Sequence, residues 1–231
     1  MTGASIAERI LDAFPSGSYG LLALLRLLDI TETGEVDTAA DTAAVECTVM
    51  PRLLVNPAFV ESHAATPERL LMLIMHELHH VLLGHTRLFP RHTDADNLIF
   101  DAVINALLCR MFPSPEHTSF FTEFYSDQRF PECLLRPPSR WKPPLAARIP
   151  AALKSPKMRR VREVYRALYS ETGANYQELY EALRRVLPPL DGIRLLGSHD
   201  AEPAELEGLV FDSVRSIVEH WPQPPDPIRG R

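Results

Sequence analysis

Cysteine is scarce in this sequence of 231 residues, which contains only three. Cys47, Cys109 and Cys133 follow no spacing typical of a disulfide framework or of a zinc site built from thiolates. An odd and sparse set of thiols is typical of a protein from a reducing compartment. We therefore expect no structural disulfide bond and no metal site made of cysteines.

Long apolar runs are also missing. No stretch reaches the roughly 18 to 20 uncharged apolar residues that a membrane-spanning helix requires. The most apolar segment, residues 70–85, is interrupted by histidines and a glutamate. The start of the chain lacks the charged residues followed by a long apolar segment that a signal peptide has. These absences predict a cytoplasmic protein.

An excess of positive charge is absent as well, since the formal net charge is −6 at pH 7. This balance gives no reason to expect binding to nucleic acid, which requires a positive surface. The exception is residues 136–166, where ten Lys and Arg residues are opposed only by Glu163. We interpret this segment as a solvated loop followed by the polar face of a helix, with a docking surface for an acidic partner as the alternative.

The composition is that of a globular protein, with 45% hydrophobic and 23% charged residues. We expect an α+β fold that is mostly helical, with one domain over residues 1–221 and a flexible tail over residues 222–231. Apolar positions at helical spacing predict helices over residues 5–14, 19–28, 158–169, 176–186 and 205–220.

Two other segments have different patterns. Residues 43–60 are rich in β-branched and apolar types, and they predict two short strands or one bent hairpin after a polar loop over residues 31–42. Pro51 and Pro57 favour an edge or a bend, because proline cannot donate to a sheet. Residues 112–155 are rich in proline and predict a long irregular loop, which we interpret as a lid over a cleft.

The residues that carry chemistry are concentrated in the apolar segment LLMLIMHELHHVLLGH. His76, Glu77 and His80 form the pattern His-Glu-x-x-His on a predicted helix. Residues i and i+4 of a helix lie on the same face, so both imidazoles can point to one cation. Zinc lowers the pKa of a bound water toward ~7, and the adjacent glutamate can take its proton. The pattern indicates a zinc-dependent peptidase with Glu77 as general base.

The sequence around the motif supports this interpretation. Thr66, Pro67 and Glu68 form a helix start, with a capping hydroxyl, a proline at the first helical position and an acid in the first turn. Gly84 is a typical helix end. Most other residues of this helix are apolar, which predicts that it is buried. Buried imidazoles and a buried carboxylate need partners, and a metal ion satisfies them together.

The identity of the third ligand is open at this point. His85 lies nine residues after His76, which at ~100° per residue places it on the opposite side of a straight helix. It also comes five residues after His80, whereas the metzincin pattern has its third histidine six residues after the second. We therefore interpret His85 as a C-terminal cap or as a residue that supports the ligands, and His79 in a similar way.

The helix that begins near Thr93 or Asp94 offers a better third ligand. Asn97, Asp101 and Asn105 recur every four residues and form a polar stripe on an otherwise apolar helix. If this helix packs antiparallel to the first, Asp101 completes the zinc sphere, and Asn97 or Asn105 hydrogen-bonds to the ligands. The alternative is a set of ordinary buried asparagines that bond to the backbone.

The segments LLVNPAFV, LLMLIMHELHHVLLGHTR and DNLIFDAVIN together resemble a bacterial metallopeptidase-domain family that is often encoded with von Willebrand A-like proteins and MoxR-type ATPases. That family has Asn-Pro-x-Phe before the histidine motif and Asn-x-x-x-Asp-x-x-x-Asn after it. The segments REVYRALY and LLGSHDAEPAE resemble its weaker downstream motifs. The matching residues of the central motifs are Asn56, Pro57, Phe59, His76, Glu77, His80, Gly84, His85, Asn97, Asp101 and Asn105.

The resemblance implies a zincin-like fold that binds Zn²⁺ and hydrolyses peptides. It implies that a short strand, within VECTVM or RLLVN, edges the cleft and pairs with an extended substrate. Tyr165, Tyr169 and His199 are the candidates for stabilising the oxyanion. No von Willebrand A-like domain follows in this sequence, so we expect such a partner, or a MoxR-type ATPase, to be a separate chain. The alternative function is a metal-stabilised, non-proteolytic scaffold that docks these partners.

Overall fold

The computed structural model describes residues 5–15, 17–26, 28–33, 42–46, 52–83, 93–138, 141, 148–170, 173–187, 195 and 196. These residues form a mostly helical α+β fold, which confirms the expected class. The helices are α1 (Ile6–Ala13), α2 (Tyr19–Leu25), α3 (Pro57–His63), α4 (Pro67–Leu82), α5 (Asp94–Met111), α6 (Pro115–Phe124), α7 (Arg159–Leu168) and α8 (Tyr176–Leu183). The strands are β1 (Asp29–Glu32), β2 (Ala43–Glu46) and β3 (Arg52–Val55).

The three strands form one sheet in the order β1-β3-β2. β3 pairs in parallel with β1 and antiparallel with β2, so β2 and β3 are the two strands that the sequence predicted. The prolines were expected to favour an edge or a bend, and the edge is wrong for β3, which is the central strand of the described sheet. β1 was missed, since its polar sequence DITE is short and its second half falls inside the predicted loop over residues 31–42.

The end of the predicted strand segment is a helix. The side-chain oxygen of Asn56 accepts hydrogen bonds from the backbone N–H groups of Ala58 and Phe59, at 3.0 and 3.3 Å, and thereby caps α3. Pro57 occupies the first turn, where its missing N–H leaves no bond unmade. The sequence Asn-Pro therefore starts a helix here and does not bend a strand.

Helix α4 lies at the centre of the fold. The hydroxyl of Thr66 caps its N-terminus by accepting from the N–H of Arg69 at 3.3 Å, as predicted. Every side chain of the helix from Leu70 to His80 is buried, because α4 contacts α1, α5, α6 and β2. The positions of the histidine motif are therefore enclosed on all sides by protein.

The prediction of an irregular loop over residues 112–155 is wrong for much of that segment. Ser114, Pro115 and Glu116 start α6, which packs against α4 and buries Phe120 and Phe121 completely. Residues 131–138 are buried as well, and the lid interpretation does not fit them. Proline at the first position of a helix was taken for a helix breaker, although it stands in the same context as in α4.

The basic segment is partly structural. The guanidinium of Arg136 is buried, and it donates to the carbonyl oxygens of Thr122 and Tyr125 at 2.8 and 2.9 Å, at the C-terminal end of α6. Arg162 donates to backbone carbonyls of the short turn before α7, and Arg159 pairs with Glu163 at 3.3 Å. Within the described part of the segment, two of these arginines therefore hold backbone in place.

The remaining predictions concern the helices in the last third of the chain and the absence of a membrane span. The predicted helices over 158–169 and 176–186 correspond to α7 and α8, whereas the helix over 205–220 and the tail over 222–231 lie outside the described residues. None of the helices in the described ranges combines the length and apolarity required to cross a membrane.

Candidate metal centre

Helices α4 and α5 bring three ligand-type side chains together. His76 and His80 lie one turn apart on α4, and Asp101 reaches them from α5. The Nε2 atoms of the two histidines are 3.1 Å apart. The Oδ1 atom of Asp101 lies 3.6 Å from Nε2 of His76 and 3.3 Å from Nε2 of His80. His76 also bonds Asn105, one turn after Asp101, so the two helices run antiparallel.

These distances match the geometry of a metal site. Four ligands placed tetrahedrally at about 2.0–2.1 Å from zinc are separated from one another by about 3.3 Å. The three measured separations, 3.1, 3.3 and 3.6 Å, lie close to this value. All three side chains are buried, with exposed fractions of 0% for His76, 4% for His80 and 0% for Asp101. The protein therefore has a buried group that could hold a metal ion.

The hydrogen bonds of His76 fix which of its nitrogens faces the group. The side-chain amide of Asn105 donates from Nδ2 to the carbonyl oxygen of Leu135 at 2.9 Å, so its oxygen points to Nδ1 of His76 at 2.8 Å. Since that oxygen can only accept, Nδ1 of His76 carries the proton. In the neutral imidazole, Nε2 then presents a lone pair toward His80 and Asp101. A proton or a cation is required to hold these atoms together.

The charge around His76 is negative. Burial alone would lower its pKa, but the charge of Asp101 and a hydrogen bond to it, the charge of Glu77 and the bond to Asn105 together raise it above its usual value. The site thus favours a positive charge, whether a proton or a metal ion carries it. Glu77 is itself buried, with an exposed fraction of 2%, and its charge acts on the adjacent His76.

The other polar residues predicted near the site have different positions. His79 is buried, and its Nδ1 donates to the carbonyl oxygen of Met75 at 2.6 Å, which is a bond within its own helix. Asn97 is buried one turn before Asp101, but within the described residues it has no hydrogen bond to the three ligand-type side chains. His85 and His199 lie outside the described residues.

Tyr165 and Tyr169 do not reach the site, so the structure offers no support for them as oxyanion residues. Their hydroxyls donate to the carbonyl oxygens of Arg136 and Leu134, at 3.4 and 3.5 Å. The carbonyl between these two, that of Leu135, accepts from Asn105. Three consecutive carbonyls are thus held by three buried side chains, and the two tyrosines support the backbone to which Asn105 is anchored.

The residues of α6 that face the site were missed by the sequence analysis. The ring of Phe121 lies against that of His76, with centroids 6.5 Å apart. Tyr125 follows one turn later and is buried, with an exposed fraction of 3%. Burial raises the pKa of Tyr125 well above its usual value, and the negative charges of Asp101 and Glu77 raise it further. The helix start at Ser114 was the signal that could have placed these residues on an ordered element.

Comparisons with known proteins add no family assignment. A scan against models of protein families finds no match, and searches of curated proteins and of solved structures find none either.

Proposed function

We propose that this chain is a zinc-dependent metallopeptidase, in which His76, His80 and Asp101 hold the metal ion and Glu77 is the general base. The observation that carries the proposal is the triangle of donor atoms at tetrahedral spacing, buried beside a carboxylate that follows the first histidine directly. Two imidazoles and one carboxylate are the donor set of catalytic zinc sites that leave a fourth position open.

A bound Zn²⁺ supplies Lewis-acid chemistry, because it polarises a carbonyl group and lowers the pKa of water toward ~7. The residues of the chain supply the rest. Asn105 orients His76, because the side-chain oxygen of Asn105 accepts a hydrogen bond from Nδ1 of His76. The Nε2 atom of His76 is then left free to bind the metal ion. Glu77 takes the proton of the attacking water and passes it to the leaving amine, as its place beside His76 allows.

The resemblance of the motifs to the bacterial metallopeptidase-domain family supports the same function and a zincin-like fold. In this proposal, an extended substrate pairs with β2, which lies at an edge of the described sheet and contacts α4. β3 cannot serve in this way, because it is paired on both sides. A cytoplasmic location, and a separate von Willebrand A-like or ATPase partner, belong to the proposal.

The burial of the site favours one alternative function. Glu77, His76 and Asp101 have exposed fractions of 2%, 0% and 0%, so a peptide cannot reach them without a movement of the surrounding protein. A metal-stabilised scaffold that docks a partner needs no such access. Glu77 favours the enzyme, since a purely structural zinc site is closed by four protein ligands and has no use for a base.

The substitution Glu77→Gln tests the choice, because glutamine has the same shape but is not a base. Zinc-loaded wild-type protein and the variant are incubated with a peptide library and with co-encoded proteins, and new chain ends are identified by mass spectrometry. We expect wild-type cleavage, a loss of at least ~10²-fold in the variant and equal zinc content in both. Equal cleavage by both would indicate a contaminant, and cleavage by neither would favour the scaffold.

A further inference from the structure

Tyr125 ends α6, one helical turn after Phe121, whose ring lies against His76 of the metal centre. Its backbone N–H donates to the carbonyl of Phe121 at 3.0 Å, so it occupies the turn that follows the ring packed on His76. The guanidinium of Arg136 holds the carbonyl of Tyr125 at 2.9 Å from a buried position. The backbone at Tyr125 is therefore held at both its N–H and its carbonyl group.

The hydroxyl of Tyr125 is enclosed and available as a donor. Its oxygen is inaccessible to solvent, and among the described residues no acceptor lies within hydrogen-bonding distance of its proton. The hydroxyl has no hydrogen-bond partner among these residues, so its proton is free to be donated. A buried hydroxyl without an acceptor is unfavourable, and such groups are found where a ligand or a reacting atom supplies the missing partner.

The charges around this phenol explain why it remains a donor. Burial, then the carboxylates of Asp101 and Glu77, keep its pKa well above the usual value, and Glu132 adds a smaller effect in the same direction. The phenol is therefore neutral at physiological pH. Asp101 and Glu77 belong to the metal centre. Their effect on the pKa of Tyr125 therefore agrees with the position of Tyr125 one turn after Phe121, the residue that contacts His76.

We propose that Tyr125 is a catalytic residue whose hydroxyl donates a hydrogen bond to the carbonyl oxygen of the substrate as that oxygen becomes negative. The inference rests on the proposed peptidase function. As the oxygen of water bonds to the carbonyl carbon, the π-electron pair of the C=O bond moves to the carbonyl oxygen, and Glu77 takes the water proton. A donor that has no acceptor before this step stabilises the charge without breaking another bond.

The first test measures binding of an anion and does not depend on activity. Protein loaded with Co²⁺ in place of zinc is titrated with inorganic phosphate, a tetrahedral anion, and the visible absorption of the cobalt is recorded. We expect Tyr125→Phe to bind one cobalt per chain, as the wild type does, and to bind phosphate about tenfold more weakly. Tyr176→Phe is the matched control, since that hydroxyl already donates to Asp96, which is not one of the three ligand-type residues. This variant should bind phosphate as the wild type does.

Three results would overturn the inference. Equal phosphate affinity in Tyr125→Phe and the wild type would mean that the hydroxyl does not meet the anion. No spectral response of the wild-type protein would mean that no anion reaches the centre. Loss of cobalt or of helical circular dichroism in Tyr125→Phe would assign the residue a structural role.

The second test uses peptide cleavage and separates the two proposals. We expect Tyr125→Phe to lower kcat by roughly 10²-fold to 10³-fold with little change in KM, because the bond forms only in the transition state. An unchanged kcat would contradict the catalytic role even if phosphate binding were weaker. If wild-type protein cleaves no peptide while the phosphate result holds, the peptidase proposal fails, and Tyr125 stands only as an anion-binding residue.

Discussion

The side-chain oxygen of Asn105 lies 2.8 Å from Nδ1 of His76, on the nitrogen opposite to the one that approaches Asp101. The other end of the same amide is held by the carbonyl of Leu135 at 2.9 Å. Both residues are fully buried. The imidazole is thereby fixed in orientation and in tautomer before any metal ion binds.

Replacing Asn105 by leucine should weaken zinc binding by about 10-fold to 100-fold, since such supporting bonds to a ligating histidine have effects of this size. The free imidazole could rotate and could carry its proton on Nε2. Asn97→Leu is the matched control, as it removes a buried asparagine from the same face of α5 without touching His76. Competition with a coloured chelator gives both affinities. Equal affinities in the two variants would show that the bond to His76 has no effect on the metal.

Zinc should raise the thermal stability of the wild-type protein. A ligand that binds only the folded state adds about 4 kcal/mol at a concentration ~1,000 times its Kd. Asp101→Ala should lose most of this increase in differential scanning fluorimetry, because only the two histidines remain. Asp94→Ala, which removes an exposed carboxylate from the first turn of α5, should keep it. His85→Ala provides a direct comparison: a loss of zinc in that variant alone would make His85 the third ligand.

The local part of the site could be predicted from the sequence. Helical periodicity alone places His76 and His80 on one face, and the polar stripe through Asp101 suggested the second helix. Both depend on positions a few residues apart. The bond from Asn105 to the carbonyl of Leu135 joins residues 30 positions apart. No local pattern encodes such a contact, because it depends on how residues 132–136 pack against α5.

The two main errors in the fold prediction have one cause. Proline was interpreted as a break at Pro57 and at Pro115, although each stands directly after Asn or Ser, which are capping residues, and begins a helix. Because of the second error, Tyr125 was not predicted as a site residue. Helical spacing could not be used to place it, since the segment was assumed to be a loop. The same arrangement at Thr66 and Pro67 was recognised, since the apolar repeat that follows it is much longer.

Arg136 should matter for stability. Its guanidinium donates to two carbonyl oxygens at the end of α6, and hydrogen bonds that involve a charged group contribute roughly 1.5–3 kcal/mol each. We expect Arg136→Met to lower the free energy of unfolding by about 3 kcal/mol in urea. Arg160→Met is the control on the exposed surface of α7, where a change within about 0.5 kcal/mol is expected. A similar small change in Arg136→Met would mean that α6 is held by its apolar contacts alone.

The buried thiols Cys109 and Cys133 should make stability decrease at alkaline pH. Burial raises the pKa of Cys133 to about 12, and that of Cys109 is raised further for the same reason. In the unfolded chain, by contrast, both thiols lose their protons near about pH 8.5. Above that pH the unfolded state binds fewer protons than the folded state, so the free energy of unfolding falls as pH rises.

Each thiol contributes up to ~1.4 kcal/mol per pH unit between its two pKa values. A variant with alanine at both positions should therefore show a flatter decline of the unfolding free energy from about pH 9 to pH 11. Alkylation provides an independent measurement. Iodoacetamide at mildly alkaline pH should leave both thiols unmodified in the native protein and modify both in guanidinium, as peptide mass spectrometry reports. Rapid native labelling would contradict their burial, because the thiolate, which is the reactive form, would then be accessible.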